Sequence, residues 1–151
     1  MKFNLPKGLQ LHGQLERNGV RYGLGAKAKP STPPDKIARI DCSGYVRYMV
    51  LNCSDIKEFP DGSQNQLAWC IQNLRQLGKY SDVSYAAEDE TRLFIAFIKP
   101  HVNGAGKIGH VWLICEGETY ESCGGKGVTN RPWNTGVLRR EAYACFEIPV
   151  K

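Results

Sequence analysis

The chain has no Cys-x-x-Cys pair, and its six cysteines, at 42, 53, 70, 115, 123 and 145, fall at spacings that suggest no zinc site. No apolar run is long enough to span a bilayer, and Met1-Lys2-Phe3-Asn4-Leu5-Pro6 leads into no apolar leader segment. The expectation is a chain without a signal peptide or membrane partner, made in the cytoplasm. A dense basic face is missing too. The net charge of +5 comes from 20 basic and 15 acidic residues scattered along the chain, with Arg139-Arg140 the one adjacent pair of arginines. That balance suits an anionic polymer, and groove binding has no support in it, so no nucleic-acid partner is expected. Gly124-Gly125-Lys126-Gly127 lacks the Gly-Lys-Ser/Thr ending and the strand-to-helix setting of a phosphate cradle, which excludes a nucleotide site. Neither a metal nor a cofactor is expected.

What is present is an ordinary globular composition, 42% hydrophobic and 23% charged over 151 residues, enough for one domain with its own core. Residues 1–151 read as a single unit, with 1–40 an N-terminal segment and loop and 41–151 the core. Cys53 and Cys70 read as buried helix residues; a bridge among Cys115, Cys123 and Cys145 stays open for an oxidising compartment.

The organising stretch is Ile40-Asp41-Cys42-Ser43-Gly44-Tyr45-Val46-Arg47-Tyr48-Met49-Val50. It predicts a short loop entering a helix, with Cys42 in the first turn and Tyr45, Val46, Met49 and Val50 forming a buried stripe. A helix N-terminus favours thiolate over thiol, and its free N–H groups can hold a developing oxyanion. Gly44 is expected to keep the first turn bare for a substrate backbone. Alone, Cys42 reads as a small buried hydrophobe. Its company changes that: 68 residues on, Gly109-His110-Val111-Trp112-Leu113-Ile114 predicts a strand entered through a glycine. An imidazole there can take the thiol proton and return it to a leaving amine. Thr119-Tyr120-Glu121-Ser122 predicts the next strand of a hairpin turning at Cys115-Glu116-Gly117-Glu118, which puts Glu121 across from His110 as an orienting group.

Asp41-Cys42-Ser43-Gly44 opening a helix, then Gly109-His110-Val111 opening a strand, then a polar residue on the following strand, resembles the NlpC-type papain-like cysteine peptidases that cut bacterial cell-wall stem peptides. The resemblance spans roughly residues 22 to 128. It implies an α+β papain-like fold, an antiparallel sheet packed against a helix carrying the nucleophilic cysteine at its N-terminus. It also implies hydrolysis of an amide in peptidoglycan, often the one between D-glutamate and diaminopimelate. Carried over, Cys42 is nucleophile, His110 base and Glu121 orienting residue, while Tyr22, Asp41 and Ser43 hold the substrate. The third position is commonly histidine in that family, and Cys123 on the same strand face is the next candidate after Glu121. The small size and the long proline-rich link from Tyr22 to Cys42 are similar to type VI secretion amidase effectors and phage-borne wall hydrolases. That likeness implies a monomer acting in the periplasm or wall after non-Sec export or phage delivery, with a cognate immunity protein as partner. Acyl transfer and deamidation use the same Cys-His pair and stay open, as does a non-catalytic wall-binding role.

Elsewhere a helix is expected from Leu9 to Arg17, closed by Asn18-Gly19. Pro30-Ser31-Thr32-Pro33-Pro34 predicts an exposed loop that either walls a substrate groove or is a stiff connection. Ser63 reads as the N-cap of a second helix, with Gln66 completing a capping box, Leu67, Cys70, Ile71, Leu74 and Leu77 as its apolar stripe, and Gly78 as its stop. Val83 to Tyr85 predicts an edge strand, Arg92 to Ile98 a buried strand, and Ala144 to Val150 a final one. His101 is the runner-up base in a polar loop. Arg131 is a candidate for the groove, and Trp133 a cap on the core.

Overall fold

The computed structural model describes residues 1–78, 84–100, 109–136, 138 and 142–151. Helix α1 runs over Leu5–Arg17. Its start is set by Asn4, whose side chain accepts from the Lys7 N–H at 3.1 Å, and by Pro6 in the first turn, where a missing N–H costs nothing. Apolar spacing alone begins the helix at Leu9; the cap moves it back. Helix α2 spans Cys42–Cys53 and is the central element, with nine of its 12 residues buried, the expected stripe among them. Helix α3 spans Ser63–Asn73, and a short α4 covers Ser84–Ala87.

The strands are β1 (Arg75–Leu77), β2 (Leu93–Ile98), β3 (His110–Cys115), β4 (Glu118–Cys123), β5 (Gly127–Thr129) and β6 (Ala142–Ile148). They form one antiparallel sheet in the order β1-β6-β2-β3-β4-β5. The β3–β4 hairpin closes through Glu116 and Gly117, both at positive φ, the two-residue turn whose twist matches its strands. Helices α1 and α2 cover one face of the sheet, against Leu93, Ile95, Phe97, Val111, Leu113 and Phe146. The other face, with Phe94, Ala96, Trp112, Ile114 and Cys145, is covered by Ala87, Trp133 and Leu138. Because both faces are covered, β2 reads as an unbroken apolar run. The fold is therefore α+β, with an antiparallel sheet packed on the cysteine-bearing helix, as the sequence implies. All six cysteines are unpaired and buried, and Trp133 caps the second cluster.

Several expectations fail locally. Gly62, at φ +86°, is the N-cap of α3, and Ser63 is its first helical residue. Gln66 does not close a capping box; its amide donates to the Ser43 carbonyl at 2.9 Å and the Pro60 carbonyl at 3.0 Å, joining α3 to the start of α2. The helix stops at Asn73 because Arg75 to Leu77 are claimed by pairing with Glu147, Phe146 and Cys145 of β6, and an Arg75–Glu147 ion pair of 3.2 Å reinforces the register. Ile71 is 60% exposed and not part of the stripe. Ser84 and Tyr85 belong to α4, where Ala86 and Ala87 favour helix over strand. Val83, His101 and Arg139-Arg140 lie outside the described residues.

Phe146 packs edge-to-face on Phe97 at 6.0 Å in the main core. Phe146→Ala should cost about 3–5 kcal/mol in urea unfolding, and Ile71→Ala less than about 0.5 kcal/mol. Equal losses would refute this placement of β6 and α3.

Candidate active site

Asp41 starts α2 by accepting the Gly44 N–H at 2.7 Å. Its backbone N–H is held by the Ala26 carbonyl at 2.9 Å, and Arg21 and Ile40 are bonded across the base of the loop between them. The proline-rich segment therefore leaves and returns at one place, setting Tyr22 beside Cys42. Helix geometry leaves the first-turn N–H groups of Cys42 and Ser43 without intrahelical partners.

His110 enters β3 behind Gly109, whose φ is +80° and where an added Cβ would sit 2.9 Å from the Ile98 carbonyl, leaving no room for a side chain. Its ring stacks on Trp112 at 5.3 Å. His110 Nε2 lies 2.7 Å from Glu121 Oε1, and Cys42 is near enough to the ring to favour its charged form. With Nε2 committed to the carboxylate, Nδ1 is the nitrogen left for the sulfur. The sequence-predicted Cys42, His110 and Glu121 are thus brought together in that order.

Glu121 is fully buried. Arg131 grips it with two bonds, Nη2 to Oε1 at 2.6 Å and Nε to Oε2 at 2.9 Å, and the Thr119 hydroxyl donates to Oε2. Burial alone would push its pKa up; the hydrogen bonds from His110, Arg131 and Thr119, with the His110 charge, hold it down to about 2. Burial likewise disfavours the His110 imidazolium, but the hydrogen bonds and charges of Cys42 and Glu121 outweigh it and raise its pKa to about 9. Relative to an ordinary 6.5, that is a preference of roughly 3 kcal/mol for the charged ring.

No family model matches the chain, and no curated protein matches it. Solved structures do. An NLP/P60-family protein similar to lipoproteins from Staphylococcus aureus superposes with a TM-score of 0.61 at 14% identity, over 100% of this chain and 44% of that one. The P60 domain of an antigen from M. avium subspecies paratuberculosis gives 0.54 at 19% identity, over 96% of this chain and 98% of that one. The fold is of the NlpC/P60 type. This chain spans less than half of the staphylococcal protein's length.

Beside the cysteine of this NlpC/P60-type fold lies an open cleft of about 340 Å³ lined by Tyr22, Leu24, Lys27, Asp41, Cys42 and Ser43 among others. Tyr22, Asp41 and Ser43 thus share one cleft with Cys42. Leu24, 65% exposed, offers apolar contact at the rim. Burial, then the charges of Cys42 and Asp41, push the Tyr22 pKa up to about 12, which keeps its hydroxyl protonated and able to donate. The proline-rich loop is divided: residues 22 to 27 wall the cleft, while Pro30 to Pro34 line a separate groove with Lys7 and Tyr48.

Gly44 is not open to a substrate. A Cβ there would sit 2.8 Å from Asp41 Oδ1 and 2.9 Å from the Ala26 carbonyl, so the glycine serves the cap and the loop packed over it. Cys123 is buried on β4, and the carboxylate of Glu121, not its sulfur, bonds the histidine. Sequence reasoning missed Lys27, Thr119, Asn130 and His12. His12 Nε2 faces the Asn130 side-chain oxygen at 3.1 Å and so carries the proton, leaving Nδ1 to accept from Tyr45 at 2.6 Å. Burial lowers its pKa, which keeps this second histidine neutral. Asn130 in turn donates to the Thr119 carbonyl at 2.7 Å. Among the described residues, no group of three or more His, Cys, Asp or Glu is placed to hold a metal ion.

The His110 contribution to stability is whole below pH 6.5 and is lost as pH climbs through about 9; that of Glu121 is whole above about 4.5 and is lost as pH falls through about 2. By NMR the His110 ring should titrate near pH 9, and Glu121→Gln should lower that midpoint by removing a partner of the imidazolium. A midpoint near 6.5 in both proteins would refute the arrangement.

Proposed function

We propose that the protein is a cysteine peptidase or amidase that hydrolyses an amide bond in peptidoglycan stem peptides. The observation that carries this reading is the grouping of Cys42, His110 and Glu121 beside an open cleft of about 340 Å³. The NlpC/P60-type fold supports it. In this mechanism the Cys42 sulfur attacks the carbonyl carbon while its proton rests on His110 Nδ1. The oxyanion that forms is met by the Cys42 N–H at the start of α2 and by the Tyr22 hydroxyl. Collapse breaks the C–N bond, and His110 gives its proton to the departing amine. Water, deprotonated by the now neutral His110, attacks the thioester; loss of the sulfur releases the acid and restores the starting pair. Glu121 holds the ring throughout, with Nδ1 toward the sulfur.

The bond between D-glutamate and diaminopimelate is the scissile amide we favour, from the resemblance in the Asp41 to Gly44 and Gly109 to Val111 motifs. On this reading the protein acts as a monomer in the periplasm or wall, as an antibacterial effector or phage lysin. A protein inhibitor that plugs the cleft would protect the producing cell, and periplasm-directed expression should lyse cells in a Cys42-dependent way.

Mass spectrometry of purified muropeptides incubated with wild type and with Cys42→Ala tests the chemistry. New fragments from the wild type alone are expected, and their masses identify the amide. Intact muropeptides in both, from folded protein, would overturn wall hydrolysis in favour of acyl transfer, deamidation or wall binding.

A further inference from the structure

Lys27 reaches across the cleft to the residues on either side of Cys42. Its ammonium lies 2.7 Å from both Asp41 oxygens and 2.8 Å from Ser43 Oγ. Asp41 also accepts from the Gly44 N–H at 2.7 Å, the Gly25 N–H at 3.1 Å and, at 3.4 Å, the Ser43 hydroxyl. All of Gly25, Lys27, Asp41 and Ser43 line the cleft. An ammonium has three N–H donors, and here three acceptor atoms meet them. The corner next to the nucleophile is thus built to hold an ammonium and is already filled by one on the protein's own chain.

We propose that Lys27 is a specificity-determining residue: by occupying the Asp41–Ser43 corner it makes the cleft accept peptides whose N-terminus is acylated and reject those ending in a free ammonium. The proposal rests on the peptide-hydrolase reading above. A substrate ammonium entering this corner would have to displace a tethered cation from charge-assisted bonds, and until it did so it would face like charge at close range. A neutral amide meets neither obstacle. The cleft volume of about 340 Å³ is at the small end of ligand sites, so the residue beside the scissile bond falls within reach of this corner. The favoured substrate class is therefore a stem peptide still joined through its N-terminus to the glycan, not a released free peptide.

The test uses two stem peptides identical except for a free or an acetylated N-terminus, with wild type, Lys27→Met and Lys27→Arg. Wild type should favour the acetylated peptide in kcat/KM by at least about tenfold, Lys27→Arg should keep that preference, and Lys27→Met should reduce it to within about threefold by gaining the free amine. A wild-type ratio near one, or a ratio unchanged in Lys27→Met, overturns the proposal. A second readout needs no hydrolysis: the rate of Cys42 alkylation by iodoacetamide in the presence of alaninamide or N-acetylalaninamide. Alaninamide should slow alkylation of Lys27→Met and not of wild type; equal effects on the two proteins overturn the proposal. Should neither peptide be cut by wild type, the peptidase reading fails, and the alkylation rates still decide the role of Lys27.

Discussion

A carboxylate taken wholly out of water is tolerated only when its charge and lone pairs are matched, and Glu121 imposes that condition on half of the sheet. Desolvation on this scale costs several kcal/mol per ion, so the compensating groups must arrive together and in good geometry. They come from three places: His110 from the start of β3, Thr119 from two residues earlier on β4, and Arg131 from just beyond β5. Thr119 also accepts the Arg131 N–H at 2.9 Å, and its own backbone N–H donates to the Arg131 carbonyl at 2.8 Å. The β3–β4 hairpin, β5 and the segment after it are consequently locked around one buried charge. The imidazole is aimed by the same bonds that make the carboxylate tolerable.

The cysteine side is organised independently, by the Asp41 cap, and then stitched to the sheet. Ser122 on β4 donates to the Ile40 carbonyl at 2.8 Å, one residue before the cap. Gln66 on α3 donates to the Ser43 carbonyl, one residue after Cys42. Cys42 therefore sits between two fixed backbone points contributed by different elements. Its distance to His110 is set by β4, which carries both Ser122 and Glu121, so that one strand positions both halves of the site.

What was legible in the sequence was whatever local chemistry dictates. The helix opening at Cys42 follows from its own apolar stripe, and a glycine before an apolar strand marks His110. The hairpin at Glu116-Gly117 follows from turn geometry, and it brings Glu121 onto the strand beside the histidine, whose side chain it meets diagonally. Illegible were contacts made by residues distant in the chain whose types carry no signal of their own. Lys27 looks like one more solvated lysine among 20 basic residues, and its role exists only because the loop from Tyr22 to Ile40 closes on itself. His12 on α1 meets Asn130 after β5, 118 residues on. The end of α3 was misplaced for the same reason: Leu74 and Leu77 keep helical spacing, but β6 supplies a hydrogen-bonding partner that the local pattern does not contain. Gly44, expected to bare the first turn for a substrate, instead makes room for a loop that arrives from residue 26.

A full carboxylate on the distal nitrogen of an imidazole stabilises the imidazolium strongly, and a ring that held its proton too tightly would be a poor donor to a leaving amine and a poor base toward water. Arg131 moderates this. It shares Oε1 with His110 and places a second cation on the same carboxylate, so part of the negative charge that the ring would otherwise feel is offset. The arrangement keeps the directional benefit of the carboxylate, which fixes the ring with Nδ1 toward Cys42, and reduces its electrostatic grip. Lys27 does the corresponding thing at Asp41, the other carboxylate near the sulfur, leaving that pair close to neutral where it faces the cleft. With both carboxylates matched by cations of their own, the proposed mechanism leaves the His110 proton to be shared between the sulfur, the departing amine and the incoming water.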